Sequence, residues 1–332
     1  VSTCLALVFL VLAAGAVPAA AQGPVFDVWY GAVQSFGTLG ESQDQYDIQG
    51  NVFDPDVVSS LSYTLNGGPS ITMTIGPDTK RLQNEGDFIV DLWVADLLPG
   101  VNTVVITAED SLANSNSTIV TVNYTAGNTW PFPYSTDWGS LTTDGDPTTP
   151  DPAIFYQAQV FNGKWSVVGE ALQIVEPGFD RLVAIGDVTW TDYEITTSFS
   201  MDDLTGNSGA GIKVRWNGHT DTPISCPQPR CGYEPLGELG WVFQDELQFL
   251  YGGGTVPFPV TQGTVYWMKM RVRTDAGAVT YSLKAWEDGE AEPGYMISRI
   301  DALNDPSAGS LMLTSHLNQT TFGNVTVTPV VE

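Results

Sequence analysis

Residues 209–219 read GAGIKVRWNGH, a stretch that sets apolar Ile212, Val214 and Trp216 against polar Lys213, Arg215, Asn217 and His219. Successive side chains of an extended chain point to opposite faces, so this period of two marks a half-buried β-strand. Residues 267–273, WMKMRVR, repeat the pattern, with Met268, Met270 and Val272 opposite Lys269, Arg271 and Arg273. A third run places Lys284 and Trp286 opposite Tyr281 and Leu283. Six of the chain's 12 lysines and arginines fall in these three runs. The expectation is one sheet face that is polar, basic and aromatic, backed by an apolar core.

Outward from these runs the same grammar continues. Between Phe161 and the C-terminus, segments such as KWSVVGEALQIV, DRLVAIG, TDYEITTSFS, LGWVFQ, SLMLTSH and NVTVTP alternate with glycine-rich turns. About ten strands at this spacing predict a double-sheet jelly roll. From Tyr46 to Tyr124, short alternating segments are separated by turn signals at Asn66-Gly67 and Pro99-Gly100, which predicts a seven-strand sandwich. Residues 126–152 are rich in Pro, Gly, Thr and Asp and read as a linker. Trp130, Phe132, Tyr134 and Trp138 make that linker too apolar to be free, so it is expected to pack on the second domain. The domains expected are a signal peptide over 1–22, a sandwich over 23–125, a linker over 126–152 and a jelly roll over 153–332.

Composition narrows the function classes. The chain has 332 residues, 42% hydrophobic and only 15% charged, with a formal net charge of −26. Such a field repels phosphate backbones and anionic lipid heads, which argues against nucleic acid and membrane surfaces as partners. Residues 5–17, LALVFLVLAAGAV, followed by Pro18 and Ala19-Ala20-Ala21, have the form of a signal-peptide core and cleavage site, too short for a membrane span. An extracellular or cell-surface protein is expected. Beyond that segment lie two cysteines, Cys226 and Cys231, in CPQPRC, and export to an oxidising compartment predicts a disulfide between them.

Two resemblances go further than periodicity. The succession IQGNVFDPD, YTLNGG, LPGVNTVVITAEDSLAN and VTVNY resembles bacterial immunoglobulin-like and cadherin-like repeats of secreted proteins. That resemblance implies a spacer or adhesive module. The order KWSVVGEAL, DRLVAIGDVTWTDYEI, GAGIKVRWNGH, VYWMKMRVRTDAGAVTYSLKAWEDGE and FGNVTVTP is similar to the concanavalin A-like lectin/glucanase superfamily, close to its laminin-G-like domains. The fold class expected is therefore all-β, an immunoglobulin-like sandwich followed by a concanavalin A-like jelly roll.

Within that superfamily, retaining glucanases carry Glu, Asp and Glu at alternate positions of one strand. Here Asp245 and Glu246 are adjacent, and Glu287, Asp288 and Glu290 sit at a hairpin end, so the motif is absent. A polysaccharide lyase would use cations to neutralise a uronate and a Tyr or His to move protons, for which Arg215, His219 and Tyr233 are the candidates. A binding module asks only for rings to stack on sugars and polar groups for hydroxyls. Trp241, Trp267, Trp286 and Tyr233 are its candidate platforms, with Lys213, Arg215, Asn217, His219, Lys269, Arg271 and Lys284 as polar partners. The competing structural reading has the tryptophans filling the core and the cations paired with Glu194 or Glu246. Polysaccharide or a cell-surface glycan is the expected partner, bound without catalysis. Calcium is the one cofactor considered, held by Asp144, Asp146, Asp151, Asp202 and Asp203, or by a subset of Asp44, Asp47, Asp54, Asp56 and Asp110.

Overall fold

The computed structural model of the chain describes residues 23–222, 226–302 and 305–330. The signal-like segment and Cys4 lie outside the described residues. The described chain is all-β, with a few short 3₁₀ turns and no helix long and apolar enough to cross a membrane.

The first sandwich packs a three-stranded sheet, Val25–Val28, Gln45–Phe53 and Asp87–Trp93, on a five-stranded one. The second sheet runs in the order Val33–Phe36, Ser115–Tyr124, Gly100–Asp110, Val58–Leu65, Ile71–Thr72. Its central strand shows how alternation becomes burial: Asn102, Val104, Ile106, Ala108 and Asp110 point inward while the residues between them keep contact with water. Val104 and Ile106 meet Ile48, Phe88 and Val90 of the opposite sheet in one core. Two strands before Tyr46 bring the count to eight, one more than the turn spacing suggests.

The second sandwich is larger. A seven-stranded sheet has the order Gln159–Asn162, Arg181–Ile185, Ser310–His316, Gly209–Trp216, Leu236–Phe243, Glu246–Phe249, Thr255–Pro257. It packs against a nine-stranded sheet whose main path holds Tyr193–Asp202, Tyr266–Asp275, Ala278–Glu287 and Ile297–Ala302 side by side. Ala210, Ile212 and Val214 of one sheet face Met268, Met270, Tyr281 and Leu283 of the other across the core. Ile212 and Val214 of one run and Met268, Met270 and Val272 of the other thus lie in the interior the sequence assigns to them, while Trp216 packs in a separate cluster. The linker packs as its composition demands: Trp138 is fully buried in this core and its Nε1 donates to the Gly323 carbonyl at 3.0 Å, while Trp130 is 4% exposed.

The two sandwiches are joined by polar contacts. Arg81 of the first is 2% exposed and binds Asp47 and Asp91 of its own domain at 2.8 Å each. It also donates to Asn162 Oδ1 of the second at 2.7 Å and to the Arg230 carbonyl at 2.6 Å. Gln43 Nε2 reaches the Trp216 carbonyl, Gln45 exchanges two hydrogen bonds with the His219 backbone, and the Tyr30 hydroxyl donates to the Gly163 carbonyl. The Cys226–Cys231 disulfide, with Cα atoms 5.6 Å apart, closes the loop that lies in this junction, and the Thr74 N–H donates to the Gln228 carbonyl within that loop.

Candidate functional site

The three basic runs do not share a face. Gly209–Trp216 belongs to the seven-stranded sheet, whereas the runs at 267–273 and 284–286 are neighbours in the nine-stranded one. The expectation of one common sheet face is therefore corrected: the candidate residues divide between the two outer surfaces of the sandwich and its interior.

The first reason is a β-bulge. Register against Ser310–His316 shifts between Val214 and Trp216, and Arg215 takes a left-handed backbone with φ of 52°. Past the bulge the side-chain phase inverts. Trp216 joins Lys213 on the outer side of the seven-stranded sheet, and Arg215, fully buried, turns toward the other sheet. There its guanidinium donates to the Thr191 and Pro306 carbonyls, to Asp192 Oδ1 at 2.7 Å and to Thr274 Oγ1 at 2.8 Å. Asn217 is half-buried, its Nδ2 on the Ala308 carbonyl.

On the outer side of the seven-stranded sheet, Lys213, Tyr233, His219 and Trp241 do come together, around two residues that sequence reasoning did not nominate. Asp180, with φ of 45°, binds Lys213 Nζ at 3.1 Å and lies 2.6 Å from His316 Nδ1. Lys213 Nζ also sits 3.9 Å from the centre of the Tyr233 ring. Burial alone would raise the Asp180 carboxyl, but Lys213, His316 and the Tyr233 hydroxyl outweigh it and hold it far below the carboxylate range. Burial lowers Lys213 despite Asp180, and raises the Tyr233 hydroxyl together with Asp180. Trp241 lies over Gly209 and Gly211, where a Cβ at 211 would come within 2.4 Å of the Trp241 Cβ, and it stacks on Phe243 with centroids 4.3 Å apart. Nothing in the spacing of Asp180, 33 positions before Lys213, signals this pairing; only the register of the sheet does.

His219 is 1% exposed, between Trp216 and Tyr233, with its Nε2 3.4 Å from Asn162 Nδ2. Burial first, then the charges of Arg81 and Lys213, push its pKa well below the usual value, so it is neutral. Below about pH 6.5 the unfolded chain takes up a proton at this histidine and the folded one does not, so stability falls as pH falls. Other buried groups, among them Glu238, raised to about 7 by burial against Arg299, act in the opposite sense, and a comparison isolates the histidine. The stability advantage of wild type over His219→Gln should shrink by about 2 kcal/mol between pH 7.5 and pH 5 in urea unfolding. An advantage constant over that range rules out a buried neutral His219.

As a lyase set, Arg215, His219 and Tyr233 do not meet, because the bulge sends Arg215 to the opposite side of the sheet from the other two.

The outer side of the nine-stranded sheet carries the rest. Trp267 and Trp286 are directly paired across neighbouring strands, both partly exposed, with ring planes 15° apart and centroids 6.4 Å apart. Trp267 Nε1 donates to Asp288 at 2.7 Å. Lys269 and Lys284 converge on Glu292 Oε1 at 2.7 and 2.8 Å, and their hydrogen bonds hold that carboxyl at about 2. Arg271 binds Glu194 at 2.6 Å, and Tyr295 donates to the same carboxylate. Every candidate cation on this surface is ion-paired with an acid, as the competing structural reading had it for Glu194.

Of the metal candidates, Asp144, Asp146, Asp151, Asp202 and Asp203 are not gathered into a three-carboxylate group. Asp146 caps Thr148, and Asp151 caps the turn Pro152–Tyr156. Among the described residues the group that could ligate a cation is Asp54, Asp56 and Asp110 of the first sandwich, with ligand atoms within 4.8 Å of one another.

No family model and no curated protein matches the chain. Solved structures similar to it include the carbohydrate-binding module CBM66 from Bacillus subtilis, 16% identical over 52% of this chain and 95% of that one, with a TM-score of 0.38. Lectin II from Ulex europaeus is 11% identical over 60% and 99%, with a TM-score of 0.38. A xylan beta-1,4-xylosidase from Bacillus halodurans C-125 is 12% identical over 87% of this chain and 63% of its own length, with a TM-score of 0.36.

Proposed function

We propose that the chain is a secreted glycan-binding protein in which the second sandwich binds polysaccharide on the outer surface of its nine-stranded sheet, presented by the first sandwich as an immunoglobulin-like spacer. The observation that carries this reading is the pair of nearly parallel, partly exposed indoles of Trp267 and Trp286. Indole faces bind the apolar faces of sugar rings with a large contact area and few rotors to immobilise. The ion pairs of Lys269, Arg271 and Lys284 with Glu194 and Glu292 fix the frame around them, and with Asp288 on Trp267 Nε1 the three cations are matched by three carboxylates. A neutral polysaccharide, rather than an anionic one, suits such a surface. Calcium would be held by Asp54, Asp56 and Asp110, an all-oxygen donor set of the kind a hard cation takes.

Affinity gel electrophoresis in a panel of neutral and uronate-containing polysaccharides tests the reading. The wild type should be retarded by at least one neutral polymer, with little dependence on salt. Trp267→Ala and Trp286→Ala should each weaken retardation about tenfold, and the double variant should lose less than the product because the rings act as a unit. Equal mobility of wild type and double variant in every gel would overturn the assignment.

A further inference from the structure

We propose that the groove between the two sandwiches is a second binding site, for a neutral saccharide of one or two sugar units. Its cavity of about 490 Å³ lies between the edge strand Val33–Phe36 and residues 142–156. That volume falls in the ordinary range for small-ligand sites. The groove is preorganised. At its floor the Tyr30 hydroxyl donates to the Gly163 carbonyl and accepts from the Trp165 N–H, each at 2.8 Å, and the Tyr30 ring packs edge-on to Phe155 at 5.3 Å.

Three features of the lining define the ligand. Asp151 is only 6% exposed, its Oδ1 accepts from the Ala153 N–H at 2.8 Å, and its Oδ2 has no hydrogen-bond partner. A buried carboxylate oxygen without a donor is costly, and the groove has no side chain that supplies one. Tyr156, at the same cavity, is 75% exposed, an open ring of the kind that stacks on a sugar. Apart from Asp144, the remaining polar lining is uncharged, the hydroxyls of Ser35, Thr38, Thr142 and Thr143 and the amide of Gln34, and neither lysine nor arginine contributes. An anion would meet two carboxylates and no cation here. A compact ligand rich in hydroxyl donors, with one apolar face, satisfies Asp151 and covers Tyr156 together. This site shares no residue with the indole surface, so each reading can fail without the other.

Saturation-transfer NMR on the whole protein, with methyl glucoside, methyl mannoside, xylobiose, cellobiose and laminaribiose as probes, tests it. At least one probe should bind. Tyr156→Ala, an exposed position, should weaken that binding about tenfold, and Asp151→Asn, which keeps the Oδ1 cap, about three- to tenfold. Trp267→Ala/Trp286→Ala should leave it unchanged. No binding by any probe overturns the groove site, as does binding that both groove variants retain or that the tryptophan variant abolishes. Displacement of the saccharide by methylammonium at equal concentration also overturns it, since the groove would then select a cation.

Discussion

Arg81→Ala should destabilise the protein by about 3–5 kcal/mol, the largest effect expected of any single substitution outside the apolar cores. The guanidinium satisfies two buried carboxylates of the first sandwich and an amide and a carbonyl of the second. Burial, with Asp91 beside it, raises the Asp47 carboxyl even with Arg81 in place. The alanine variant would leave Asp47 and Asp91 facing each other without a counter-charge in a dry junction, and the cost of that orphaned pair exceeds the worth of the contacts themselves. Removing the arginine raises the Asp47 carboxyl further, and a raised acid favours folding at low pH. The deficit should therefore be smaller at pH 5 than at pH 7.5, and Asp47→Asn should recover part of it. Urea unfolding of the single and double variants measures this, and a loss below about 1 kcal/mol would show that Arg81 does not hold the junction.

Arg215→Ala is expected to cost about 3 kcal/mol or more in folding free energy and to leave polysaccharide retardation per folded molecule unchanged. The side chain is fully buried and ties the Thr191–Asp192 turn, the Pro306 carbonyl and Thr274 to one point. Its left-handed backbone gives an internal control, because glycine adopts φ of 52° without strain. Arg215→Gly should be about 1 kcal/mol more stable than Arg215→Ala, although both lack the guanidinium. The reverse order would place the bulge elsewhere. Loss of retardation in well-folded Arg215→Ala would restore this residue to the binding surface.

The difference between these variants and the tryptophan ones marks what the sequence can and cannot disclose. Period-two alternation is legible because a buried sheet face needs apolar side chains at every second position, and Ile212, Val214, Met268 and Met270 sit where it requires. So is the packing of Trp130 and Trp138, since large indoles in a polar segment must find a core. The fate of Arg215 and Trp216 is not legible, because one extra residue in a strand inverts the phase without changing composition. Nor is the neutralisation of the cations: Glu292 reaches Lys269 and Lys284 only once a hairpin and the loop after it have folded. Asp180, Arg81 and Gln45 escaped notice for a related reason. Isolated polar residues in loops and at strand ends carry no periodic signal, and their partners lie 10 to 174 positions away.

The dryness of the Arg81 cluster has a bearing on where such a chain can work. Mobile ions screen exposed pairs such as Lys269–Glu292 over roughly a nanometre, but they do not enter a junction whose charged groups are sealed from solvent. The mutual orientation of the sandwiches, and with it the width of the cleft between them, is therefore set independently of ionic strength. A protein with this seam is expected to keep its shape from fresh water to brine.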